Sequence, residues 1–88
     1  MEDKDVIRII KEVLDVVYSI NFVEANLSRR HYDFSSQDYD FSFPLTVAAS
    51  TSELSLKKLI ENYLEHNSSV IVKNNHYTFN ESGAIQEN

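Results

Sequence analysis

The stretch HYDFSSQDYDFSF, residues 31–43, sets aromatic side chains at every second position on either side of a polar break: Tyr32 and Phe34 before it, Tyr39, Phe41 and Phe43 after it. Successive side chains of an extended strand point to opposite sides, so this spacing gathers the rings on one face and the residues between them on the other. A loop at Ser36 and Gln37 joins the two runs into a hairpin, with Phe34 facing Tyr39 and Tyr32 facing Phe41. In that register Asp33 stands opposite Asp40 and Asp38 lies at the loop. Like charges then meet on the outward side, at some cost in stability.

Forty-five positions further on the pattern returns as HYTFN, residues 76–80. It lies within SSVIVKNNHYTFNES, two β-rich runs around Asn74 and Asn75, a pair able to adopt the positive φ of a two-residue hairpin turn. With that turn Val70, Val72, Tyr77 and Phe79 share one side, assigned to the core. Two hairpins thus contribute to one sheet. The same offset also pairs Leu14 with Leu59 and Tyr18 with Tyr63, which favours an α-β-β unit written twice.

Each repeat is preceded by a helical pattern. From Lys4 to about Ile20 the apolar residues Val6, Ile9, Ile10, Val13, Val16 and Val17 recur at helical spacing, with Arg8, Lys11, Glu12 and Asp15 opposite. The second helix is expected over 51–66. Ser50 and Glu53 read as a capping box, Lys57 and Glu61 as an i,i+4 pair, Leu56, Leu59, Ile60, Tyr63 and Leu64 as the core face, and Asn67 as the stop. Between them FVEANLSRR, residues 22–30, fits either a strand or one more helical turn. The expected architecture is a single α+β domain over residues 1–82: two helices on an antiparallel sheet of two hairpins, in the order α-β-β-α-β-β. Pro44 lacks an amide donor, so its strand is an edge or breaks there. Residues 83–88 are polar and read as a flexible tail.

Composition narrows the chemistry. With 88 residues the chain has room for one core, and without cysteine it has no disulfide, thiolate metal site or cysteine nucleophile. A single glycine, Gly83, rules out phosphate-cradling glycine loops. The acidic start MEDKD and the lack of an apolar run of about 20 residues favour a cytoplasmic protein with no membrane span. No enzyme motif and no cofactor site is apparent. His31, His66 and His76 form a metal or proton-transfer site only if strand order brings His31 and His76 together. Asp33, Asp38 and Asp40 lack the spacing of a calcium loop.

The net charge of −6 repels phosphate backbones and attracts cationic proteins. The expected function is therefore a non-enzymatic binding module, of the inhibitor or immunity-protein kind, that docks a basic protein through Asp33, Asp38, Tyr39 and Asp40. Arg29 and Arg30 offer a local alternative, since they could neutralise the same carboxylates. Two other functions stay open. Residues 52–79, a helix and then a hairpin, resemble the recognition helix and wing of a winged-helix regulator, although Glu53, Glu61 and Glu65 are poorly suited to phosphate. The wide apolar stripe of the first helix would also suit a homodimer.

Overall fold

A computed structural model of the chain describes residues 1–19, 24–27 and 30–86. Helix α1 (Asp3–Tyr18) begins with Asp3 and Asp5 in its first turn, where carboxylates favour the helix dipole, and ends as Ser19 turns left-handed at φ 55°. Of the ambiguous segment 22–30, the part Glu24–Leu27 forms the short strand β1, and residues 22, 23, 28 and 29 lie outside the described residues. Then follow β2 (His31–Ser35), β3 (Tyr39–Pro44), a 3-10 turn over Leu45–Ala49, helix α2 (Glu53–His66) and β4 (Asn75–Thr78).

The four strands form one sheet in the order β1-β2-β3-β4, the first two pairings antiparallel and the last parallel. Val6, Ile9, Ile10, Val13 and Leu14 of α1, with Leu56, Ile60 and Leu64 of α2, pack with Tyr32, Phe34, Phe41, Phe43 and Phe79 in one buried cluster. Both helices therefore lie on the aromatic face. The α+β class expected from the sequence holds.

The expected pair of hairpins does not. The first forms with its register moved: Phe34 pairs with Phe41, Tyr32 with Phe43, and Asp33 with Ser42 instead of Asp40. Its turn is centred one residue later, because the Ser36 amide donates to the Tyr39 carbonyl at 2.8 Å while the Ser36 hydroxyl accepts from the Tyr39 amide at 3.1 Å. Moving the turn by one residue changes each partner by two, so every side chain keeps its face. That is why the aromatic side survives the correction.

The second hairpin is absent. Residues 70–74 form no strand, Val70 and Val72 are more than half exposed, and β4 pairs with β3. Setting β1 aside, the element order is α-β-β-α-β, with α2 as the crossover that a parallel pairing requires. A hairpin of 70–72 with 77–79 would leave the second edge of β3 without partners. Pairing with β3 satisfies that edge, from the Asn74 amide on the Asp38 carbonyl at 2.6 Å to the Phe79 amide on the Ser42 carbonyl at 2.8 Å. It also stacks Phe79 on Phe43, centroids 4.9 Å apart. Asn74 does adopt a positive φ, 66°, but to enter β4 and not to close a hairpin. The displaced segment curls around Tyr77, whose hydroxyl accepts from the Val72 amide and donates to the Val70 carbonyl, each at 2.9 Å.

Smaller corrections follow the same logic. The cap of α2 is Ser52, whose hydroxyl accepts from the Ser55 amide at 3.1 Å. Glu53 is drawn instead to Arg8 at 2.9 Å, and Lys57 pairs with Glu53 and Glu12 in place of Glu61. Asn67 ends the helix as expected, its side-chain amide donating to the carbonyls of Tyr63 and Gly83, both at 2.7 Å. The boundary expected at residue 82 falls within a turn in which Gly83, at φ 86°, lies so close to the Tyr63 ring that a Cβ there would come within 2.7 Å of it. β3 stops at Pro44, which fits the break that its missing donor calls for. No helix among the described residues is long and apolar enough to cross a membrane.

Candidate functional site

The face of the sheet opposite the helices is polar because the aromatic period commits every other residue of β2, β3 and β4 to it. Two rows cross it: Ser35, Asp40 and His76, and beside them Asp33, Ser42 and Thr78. The parallel register of β4 places these side chains together.

Ser42 is the hub. Its hydroxyl donates to Asp33 Oδ1 at 2.6 Å, a length typical of a hydroxyl bonded to a carboxylate. With its one proton committed there, Ser42 is an acceptor towards His76 Nε2 at 3.4 Å, and the same nitrogen lies 3.1 Å from Thr78 Oγ1. Ser42 is only 4 % exposed although it sits on the uncovered face, since its neighbours shield it. A serine nucleophile would give its proton to the imidazole and stand open to substrate. Here the proton faces a carboxylate and the imidazole is the exposed member. The arrangement clamps three strands together, and it lacks the order of a catalytic triad.

The four residues singled out for partner binding do not share one surface. Asp33 and Asp40 lie on the outer face. Asp38 sits in the β2–β3 turn, 3.9 Å from Lys73 Nζ. Tyr39 points to the helix side, its ring 4.8 Å from Tyr18 and 5.7 Å from Phe41. His31 pairs with Pro44 and His76 with Asp40, four residues apart along β3 and on opposite sides of it, so the two histidines are not side by side. Among the described residues no group of three or more potential ligands is placed to hold a metal ion.

Positive charge is concentrated on the helix layer. Arg8 bonds Glu53 and Glu12 at 2.9 and 3.2 Å, and Lys57 reaches the same two carboxylates at 3.4 and 3.5 Å. The hydrogen bond from Arg8, then that from Lys57, lowers the Glu53 carboxyl below its ordinary value. Of the pair that could have neutralised the outer face, Arg29 lies outside the described residues. Arg30 is exposed and makes no ion pair with Asp33 or Asp40. The Asp40 carboxylate makes no ion pair or hydrogen bond among the described residues.

The sequence missed Ser42, His76 and Thr78 as companions of Asp33. Their shared parity along two strands was legible, but their meeting depends on the parallel pairing. Comparison with known protein families, curated proteins and solved structures finds no match. The functional reading rests on this chain alone.

Proposed function

We propose that the protein is a non-enzymatic binding module that docks a basic protein through the uncovered face of its sheet. The observation that carries this reading is Asp40: a carboxylate on the uncovered face, near the β2–β3 turn and diagonal to Asp33, with no cation paired to it among the described residues. A surface of this sign steers cationic partners and repels nucleic acid and anionic lipid. The concrete form is an inhibitor or immunity-type protein covering a nucleic-acid-handling enzyme, whose basic cleft would accept carboxylates where phosphates belong. The winged-helix alternative is not carried forward, because the hairpin that would form its wing is absent.

The test is capture of bound proteins by the wild-type chain and by Asp40→Lys, each washed with increasing salt. A partner held by this face is lost from the variant and released by salt from the wild type. Identical partner sets from the two proteins at every salt concentration would end the proposal. Asp40 has no structural bond to lose, so the variant is expected to fold.

A further inference from the structure

The two helices lie side by side and run in the same sense, Arg8 beside Glu53 and Glu12 beside Lys57. Their seam changes character along its length. The N-terminal half is zipped by two cations and two carboxylates in alternation. Beyond Lys57 this alternation stops, and two adjoining depressions open, of about 380 and 430 Å³, that share Glu61.

The apolar lining comes from Val13, Val16, Val17, Leu64 and Ile71 and the open acidic rim from Asp15, Glu61 and Glu65, while Glu12 and Lys57, paired with each other, line the end next to the zipped half. Val16 is 81 % exposed and Val17 47 %, so apolar surface lies open there to water. None of the three rim carboxylates has an ion pair among the described residues. Because the helices are parallel, both carboxyl-terminal dipole ends fall at this end of the molecule and add to its negative potential, and the last turn of α1 has no basic residue.

We infer that this half of the seam is a docking groove for a basic amphipathic helix of a partner protein. Apolar residues of that helix at i, i+3 or i+4, and i+7 occupy the valine-lined floor, and its flanking Lys and Arg side chains meet Asp15, Glu61 and Glu65. The stretch of α2 from Lys57 to His66 is about 14 Å long at ~1.5 Å per residue, which is room for roughly two and a half turns. A second copy of this chain is a poor occupant. A two-fold contact would set the same carboxylates and the same dipole ends against each other. This groove is on the helix layer and does not depend on the sheet-face reading.

The experiment uses two synthetic helical peptides with the same leucine spacing, one with Lys and one with Glu at the remaining positions, titrated into the isotopically labelled protein. The Lys peptide is expected to shift the amide signals of residues 13–18 and 61–68. Val16→Ser with Val17→Ser, and separately Glu61→Lys with Glu65→Lys, should each weaken it by about tenfold or more, and Asp40→Lys should leave it unchanged. All four altered groove residues are exposed, so the fold is retained. The inference is overturned if the Lys peptide does not bind, if its shifts fall on the sheet face, if the Glu peptide binds as well, or if the valine pair proves instead to be needed for self-association in sedimentation.

Discussion

Tyr32-x-Phe34 and Tyr77-x-Phe79 present the same rings at the same spacing to the same core, yet the sheet takes them up in opposite ways. The first lies in an antiparallel hairpin closed by its own turn. The second reaches β3 from the far end of a helix and pairs in parallel, and its local neighbours, Val70 to Val72, supply no strand. Local chemistry is nearly equal in the two cases. What differs is the edge each run takes: β2 lies on one edge of β3 through a short turn, whereas the second run lies on the opposite edge, which no local turn can reach.

Both runs are most vulnerable at the core they share. Phe79→Ala removes a ring stacked on Phe43 and is expected to cost about 3–5 kcal/mol in denaturant unfolding, as Phe34→Ala should in the first run. A loss of under about 1 kcal/mol at Phe79 would mean that β4 is no part of the cooperative core. Gly83→Ala should follow, at roughly 1–3 kcal/mol, since the new methyl meets the Tyr63 ring at a φ that alanine resists. It would loosen the second run and leave the first hairpin alone, which hydrogen exchange would reveal.

Tyrosine hydroxyls sharpen the contrast. Tyr32 donates to Asp3 Oδ1 at 2.6 Å, and burial first, then that bond, pushes its pKa up to about 12. A folded value above the unfolded one, about 10, stabilises fully below pH 10 and is lost as pH rises through about 12. Stability should therefore decline over that window, and Tyr32→Phe should lessen the decline in an alkaline unfolding series. Tyr77→Phe deletes both bonds to the curled segment, at about 1 kcal/mol because the site is wet. The smallest effect is expected at Lys73→Ala, within roughly 0.5 kcal/mol, because an exposed pair at 3.9 Å adds little to the Asn74 backbone bond beside it.

How much of the site was legible follows from the same difference. Alternation alone places Asp33 and Asp40 outward. It cannot say that Tyr39 will meet Tyr18, which depends on how α1 packs on the sheet, or that Asp33 will accept from Ser42, which depends on where a turn closes. The unzipped half of the helix seam was hidden for a related reason: the periodic pattern shows Val16 and Val17 as apolar but not that they stand outside the buried cluster.

Period and charge along the chain were enough to set the composition of each face of β2 and β3, the approximate extent of both helices and the negative net charge, because these are properties of neighbours in sequence. Only the tertiary structure decided that residues 75–78 abandon their neighbours for β3, that Asp33, Ser42 and His76 meet, and that two helix ends point the same way. Those are choices among partners distant in sequence, made by which open edge and which buried rings lower the free energy together.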